Sequence, residues 1–120
     1  MAIHKVLIVD DSPTERFFLA DLLGKQGYQI NLAENGEEAL EKVKQIMPDL
    51  ILMDVVMPGM NGFQTTRAMS RDDDIKHIPI ILCTTKDQET DKIWGLRQGA
   101  IEYMVKPIDG NVLLQKIRAL

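Results

Sequence analysis

The chain has 120 residues, an apolar content of 45% and a formal net charge of −4. This length allows one domain with one core, the mixed composition excludes disordered and fibrous classes, and the excess of acids argues against nucleic-acid binding. No apolar run is long enough to span a membrane or to form a signal peptide, and the single cysteine, Cys83, cannot form an internal disulfide, so we expect a protein of the reducing cytoplasm.

Strand and helix patterns alternate from the first residues onward. The continuous apolar run 6–9 predicts a buried strand that ends at the acidic pair Asp10-Asp11. Ser12 and Glu15 then predict a capping box at the start of a helix. That helix should end at Gly27 and bury one apolar face, made of Phe18, Leu19, Leu22 and Leu23.

The next elements repeat this alternation. Apolar and polar residues alternate over 28–32, as in an edge strand. Asn35 and Glu38 give a second capping signal, before a helix that ends at Pro48. The apolar run 50–53 predicts another buried strand, which ends on the carboxylate of Asp54.

The second half of the chain contains the same two kinds of pattern. We expect a helix over 62–71, a strand over 78–83 that ends at Thr84-Thr85, a helix over 87–98, and a short strand over 101–105 that ends at Lys106-Pro107. Asp109 can cap a last helix, whose apolar residues are Leu113, Leu114, Ile117 and Leu120.

Five strands, each followed by a helix, indicate a doubly wound α/β fold. The three continuous apolar strands should be central, and the strands near residues 28 and 101 should lie at the edges. This arrangement predicts a five-stranded parallel sheet of order 2-1-3-4-5, which is flavodoxin-like. We expect residues 1–120 to form a single domain, because no linker or repeat interrupts them.

Unusual polar residues follow the predicted strands. Asp10 and Asp11 follow the first strand, Asp54 the third, Thr84 the fourth and Lys106 the fifth. In a 2-1-3-4-5 sheet the first and third strands flank the point where the strand order reverses, and ligands bind there. Each residue alone has an ordinary explanation as a cap or turn residue, but their joint placement at one edge predicts a site.

The predicted site has the groups that phosphoryl transfer requires. Carboxylates about 4 Å apart repel one another by several kcal/mol, so either their pKa values rise or a cation lies among them. Oxygen ligands without His or Cys favour Mg²⁺. Lys106 adds a positive charge and Thr84 a hydroxyl. Asp54 would then be the nucleophile that forms an acyl phosphate.

These motifs are those of a known family. Val9-Asp-Asp-Ser12, the run 53–62, Thr84, and Lys106-Pro107 after Tyr103 together resemble the receiver domain of bacterial two-component response regulators, the CheY-like family, over the full chain. The resemblance implies a signalling protein rather than an enzyme, and a histidine kinase as its phosphodonor.

The resemblance also implies a role for each site residue. Asp54 would accept the phosphoryl group from a phosphohistidine. Asp11 and Asp54, with the backbone carbonyl of Val56, would hold Mg²⁺, and Asp10 would assist through water. Lys106 would pair with the phosphate.

A switch and an output surface are implied as well. Thr84 and Tyr103 match the family's switch pair, and a cis bond before Pro107 would aim the preceding lysine. A downstream protein would bind the face formed by the fourth helix, the fifth strand and the fifth helix. Runs 11–15, 61–64 and 84–95 resemble those of stand-alone receivers of chemosensory systems that control type IV pili and twitching motility.

The same residues bear on the way the protein would act and on alternative functions. The chain ends with the fifth helix, so we expect no output domain, and the protein would bind a partner or drain phosphate from a sister regulator.

A haloacid-dehalogenase-type phosphatase needs a second Asp where this chain has Val56. A flavodoxin needs backbone donors rather than carboxylates in its first loop. A receiver that never takes phosphate would not need the full set of site residues.

Overall fold

The computed structural model describes residues 2–120 and contains ten elements. In chain order these are β1 Lys5–Val9, α1 Pro13–Gly24, β2 Gln29–Ala33, α2 Gly36–Ile46, β3 Leu50–Met53, α3 Gly62–Ser70, β4 Ile80–Thr84, α4 Glu89–Arg97, β5 Glu102–Val105 and α5 Gly110–Arg118. The strands form one parallel sheet of order β2-β1-β3-β4-β5, which confirms the predicted fold. No helix in this part of the chain has the length and apolar character needed to cross a membrane.

Two apolar cores cover the two faces of the sheet, because successive side chains of a strand point to opposite faces. One core joins Leu7 and Val9 of β1 to residues of α2 and α3. The other joins Val6 and Ile8 to residues of α1 and α5. The strands β1, β3 and β4 are therefore buried on both faces, as the continuous apolar runs predicted.

The helix α4 buries little side-chain surface against the sheet. Its only fully buried residue is Gly95, whereas Ile93, Trp94 and Leu96 are each close to half exposed. A Cβ at Gly95 would lie 2.7 Å from a methyl group of Leu82. The absence of a side chain therefore lets α4 pack directly onto β4.

Several predicted limits and burials need correction. The first helix ends at Gly24 rather than Gly27, which follows it with a φ of +90°. Phe18, predicted to lie on the buried face, is 42% exposed, because the sheet covers a narrower stripe of α1 than the apolar pattern spans. Leu120 is 37% exposed beyond the end of α5. The strand β4 begins after Pro79 rather than at residue 78.

Candidate functional site

The strand register brings the acids of the first and third strands together. Val9 pairs with Met53, and the backbone N–H of Asp54 donates to the carbonyl of Val9 at 2.9 Å. The N–H of Asp10 continues the ladder on the other side of β1 by donating to Ala33. Both carboxylates are therefore fixed by strand backbone at the carboxyl end of the sheet, where the strand order reverses.

Asp10, Asp11 and Asp54 form a cluster of carboxylates. One oxygen of each lies within 4.8 Å of the others, although Asp10 and Asp54 are buried and Asp11 is exposed. The two oxygens of Asp10 accept hydrogen bonds, one from the N–H of Ser12 at 2.9 Å and the other from Lys106. Asp54 accepts one from the N–H of Val55 at 2.8 Å.

Lys106 brings a positive charge to this cluster from the other side. Its N–H donates to the carbonyl of Thr84, which places it directly after β5, and its bond to Pro107 is cis. The ammonium lies 2.8 Å from a carboxylate oxygen of Asp10 and 3.6 Å from one of Asp54. All three side chains are less than a tenth exposed, so this contact is little screened by water.

The charges and the burial of the site change its acid–base properties. Burial raises the pKa of Asp54, and the nearby charge of Asp10 raises it further, against the opposing effect of Lys106. Burial alone would lower the pKa of Lys106, but the hydrogen bond to Asp10 and the charge of Asp54 outweigh it and raise that pKa. The site thus holds more negative charge than its single ammonium neutralises.

The donor set suits a hard divalent cation. Three carboxylates converge, and neither His nor Cys is among the clustered ligands. Oxygen ligands of this kind, partly open to water, fit Mg²⁺ better than Zn²⁺. The cluster can therefore hold a metal ion, and the exposed carboxylate of Asp11 is the one with the freest approach.

Thr84 and Tyr103 both contact Lys86, in the loop after β4. The hydroxyl oxygen of Thr84 accepts a hydrogen bond from the N–H of Lys86 at 3.3 Å, and the Tyr103 hydroxyl donates to the carbonyl of the same residue at 2.8 Å. Thr84 is fully buried and Tyr103 is partly buried. Burial, together with Asp91 and Asp87, raises the pKa of Tyr103 to about 12.

The remaining predicted residue is Val56, which lies in the loop between β3 and α3. Its side chain is 55% exposed and points away from the cores. The structure therefore gathers the three carboxylates and places Lys106 in contact with Asp10 and Asp54. Thr84 and Tyr103 are joined to each other through Lys86 rather than to the acids.

Two glycines near the site were not predicted to matter. A Cβ at Gly62 would collide with the carbonyl oxygen of Asp54 and lie 2.7 Å from Cα of Val55. A Cβ at Gly95 would lie 3.0 Å from the ring of Tyr103. Gly95 lies inside α4, where a glycine costs about 1 kcal/mol relative to alanine, and that cost is the signal in the sequence that could have indicated close packing. Gly62 is the first residue of α3, so the same signal does not apply to it.

We expect Gly62→Ala to lower the free energy of unfolding by about 2–3 kcal/mol, because the new methyl group must displace the backbone that carries Asp54. Urea unfolding followed by circular dichroism measures this change. The matched control is Gly24→Ala, where a Cβ meets nothing within 4 Å, so stability should be unchanged or slightly higher. Equal stability of the two variants would contradict the proposed close contact.

The comparisons with known proteins agree with this geometry. Residues 6–118 match the family described as "Response regulator receiver domain". The chain is 53% identical to "Protein PilH" of Pseudomonas aeruginosa over 97% of this chain and 96% of that protein. It is also 38% identical to "Response regulator PleD" of Caulobacter vibrioides, of which it spans 26%. Among solved structures, chemotaxis protein CheY4 of Vibrio cholerae superposes with a TM-score of 0.91 at 36% identity, with 98% of both chains covered.

Proposed function

Since this chain belongs to the response regulator receiver domain family, we propose that it receives a phosphoryl group on Asp54 from the phosphohistidine of a histidine kinase. The observation that carries the proposal is the contact of Lys106 with both buried acids beside an exposed third one. We propose that residues 1–120 act as a single receiver domain in the cytoplasm, where such a kinase presents its phosphohistidine.

The transfer is a substitution at phosphorus. A carboxylate oxygen of Asp54 forms the new P–O bond as the P–N bond to the donor histidine breaks, and the leaving imidazole takes up a proton from water. The product is an acyl phosphate on Asp54. Val55 supports the reacting carboxylate by donating its N–H to one oxygen, which fixes its orientation on the end of β3.

Phosphorylation adds negative charge to a cluster that is already acidic, so it needs compensation. Lys106 supplies part of it, because its ammonium lies between Asp10 and Asp54 and can reach an oxygen of the phosphoryl group. Asp11, Asp54 and the backbone carbonyl of Val56 would hold Mg²⁺, with Asp10 assisting through water. The bound ion supplies neutralisation of the phosphoryl oxygens.

Mg²⁺ is expected to raise the thermal stability of the protein, because it binds the folded acid cluster and not the unfolded chain. At a concentration about 100-fold above the dissociation constant, the gain is about 2.7 kcal/mol. Thermal unfolding with and without Mg²⁺ measures it. Asp11→Asn should lose most of the gain, whereas Asp73→Asn, a change in an exposed acid paired with Lys76, should keep it. The same gain in both variants would place the ion elsewhere.

We propose that Thr84 and Tyr103 transmit phosphorylation to the surface. Thr84 can turn its hydroxyl toward a phosphoryl oxygen on Asp54, which removes the acceptor of the Lys86 N–H. The carbonyl of Lys86 also holds the Tyr103 hydroxyl, so a shift of this loop releases the tyrosine ring. Inverting a 1:99 population requires phosphorylation to favour one state by about 5 kcal/mol.

An acyl-phosphate mimic such as beryllofluoride with Mg²⁺ tests this switch. We expect the amide signals of residues 84–86 and 102–105 to move together in heteronuclear NMR spectra. Tyr103→Phe keeps the ring and removes the hydrogen bond to Lys86, so its unphosphorylated spectrum should already shift toward the activated one. If the mimic moves the signals of Asp54 and its neighbours but leaves those of β5 in place, the switch proposal fails while the phosphoacceptor proposal stands.

We propose that the output partner is a protein that binds the face formed by α4, β5 and α5. Exposed Ile93, Trp94 and Leu96 of α4 support this, because they give this helix an apolar surface and its Gly95 packs against the ring of Tyr103. The similarity to PilH supports a role in type IV pilus and twitching signalling. Phosphotransfer profiling against the histidine kinases of the source organism would test this role. The role would be contradicted if the chain accepted phosphate only from kinases that do not belong to such a chemosensory system.

A further inference from the structure

A cavity of about 410 Å³ lies between the C-terminal ends of α3 and α4. Because α3 leads into β4 and α4 into β5, both ends lie at the edge where the strands begin, opposite Asp54. Pockets for small molecules have volumes of about 300–1,000 Å³. Six residues line this one: Arg67, Ser70, Arg71, Arg97, Gln98 and Gly99.

The three arginines of the cavity are not neutralised. None of their guanidinium groups forms an ion pair or a side-chain hydrogen bond within residues 2–120. The acids that follow α3 are directed elsewhere: Asp72 pairs with Lys44 at 2.7 Å, Asp73 pairs with Lys76 at 3.0 Å, and Asp74 acts on the same Lys44 ammonium. On a chain of net charge −4, the cavity is therefore a local concentration of positive charge.

The side chain of Gln98 is the second observation that points to a ligand. The residue is only 8% exposed and lines the cavity, and its side-chain amide has no hydrogen bond in the described part of the chain. The amide is not among the fully buried unpaired groups, so the small exposed part of Gln98 includes the amide. An unpaired amide in the wall of an arginine-lined cavity can donate to and accept from a bound molecule.

Close packing of Gly99 against Ser70 holds one wall of the cavity in place. Gly99 has a φ of +118°, which favours glycine, and a Cβ there would collide with the hydroxyl oxygen of Ser70. This contact holds the end of α3 against the loop before β5. The backbone that carries the arginines is thus held in place, while the exposed arginine side chains would still have to be ordered by a ligand.

Arginine near a helix C-terminus also interacts favourably with the helix dipole, and that explains Arg67 or Arg97 taken singly. It does not explain three guanidinium groups around one cavity, nor the unpaired amide of Gln98 in its wall. We propose that this cavity binds an organic diphosphate, of which nucleoside diphosphates are the common class. Guanidinium groups pair with phosphate oxygens through two parallel hydrogen bonds, and Gln98 would contact the diphosphate or its organic part.

Titration with ADP, GDP and inorganic pyrophosphate tests the proposal. It is done in the presence of a chelator, so that the carboxylate cluster holds no metal ion. We expect saturable shifts of the amide signals of Ser70 and Gly99 and of the Gln98 side chain in NMR spectra. Tighter binding of the nucleotides than of pyrophosphate would support the proposal, whereas pyrophosphate binding that is equally tight would show that no organic part is recognised and would overturn it. Shifts confined to the edge that carries Lys106 would overturn the proposal.

Variants separate this cavity from the phosphoacceptor site. The double change Arg67→Gln and Arg97→Gln should weaken binding at least about tenfold, because two charge-assisted contacts are lost. Both side chains are exposed, so the fold should persist. Arg118→Gln, on α5, and Asp54→Asn should leave the dissociation constant unchanged. Unchanged binding in the double variant, or no saturable binding by the unmodified protein, would overturn the proposal.

Discussion

Asp54→Asn is expected to abolish covalent labelling by a small phosphodonor such as acetyl phosphate in the presence of Mg²⁺. The amide oxygen of asparagine is not a nucleophile for phosphorus, although it can still accept the hydrogen bond from the N–H of Val55. Mass spectrometry of the intact protein measures the loss, since the acyl phosphate adds a fixed mass to one site.

The fold should survive this change. Burial and the charge of Asp10 raise the pKa of Asp54, so a neutral side chain of the same shape relieves repulsion in the free protein. The control is Asp109→Asn, which removes one carboxylate elsewhere and keeps a residue type that caps α5. Its labelling should equal that of the unchanged protein. Undiminished labelling of Asp54→Asn would refute the nucleophile assignment.

Lys106→Met is expected to lower the free energy of unfolding by about 3 kcal/mol at pH 7, measured with a chelator present. It leaves two buried carboxylates without their cation, while the methionine stem preserves most of the packing. Labelling of Asp54 should persist, but the shift of the Tyr103 surface should be lost, because no ammonium remains to draw the phosphoryl group into place.

The loss of stability should depend on pH. Burial already raises the pKa of Asp54, and Lys106 opposes that effect, so removing the lysine raises this pKa further above its value in the unfolded chain. A carboxyl group whose pKa is raised on folding destabilises the fold only when it is ionised. The deficit of Lys106→Met should therefore be smallest near pH 4 and grow toward pH 7.

Lys116→Met is the matched control for this series. Lys116 also pairs with a carboxylate, Glu102, at 3.0 Å, but both side chains are about one third exposed. An exposed pair contributes about 0.2–1 kcal/mol, so its loss should be small and nearly independent of pH between 5 and 8. A similar loss in both variants would show that burial of the Lys106 contact has no energetic consequence.

The order of the sheet could be predicted because it depends on which strands are continuously apolar. The apolar runs within β1, β3 and β4 have side chains that are buried on both faces of the sheet. Only a central strand must be apolar on both faces. The positions of Asp10, Asp54 and Lys106 followed from the same argument, since they come directly after strands. The topology then placed them at one edge without any knowledge of their side chains.

What the sequence could not show depends on distances between side chains of different elements. Nothing in the spacing of residues indicates that Lys106 lies nearer to Asp10 than to Asp54, because this is decided by rotamers. The exposure of Phe18 depends on how wide a stripe of α1 the sheet covers. The close contact of Gly62 with the carbonyl of Asp54 appears only when the loop is closed by the hydrogen bond from Gly62 to Val55.

The place of β5 in the sheet has a consequence for how information leaves the site. This strand has one hydrogen-bonded neighbour, β4, whereas the strand that carries Asp54 has two. The helix above it, α4, is anchored mainly through one glycine. If Asp54 is phosphorylated as we propose, the reaction takes place at the end of a central strand, whereas the proposed response lies at the edge of the sheet, where fewer contacts would have to change. We therefore expect the edge strand β5 to change its packing while the pairing of β1 with β3 is kept.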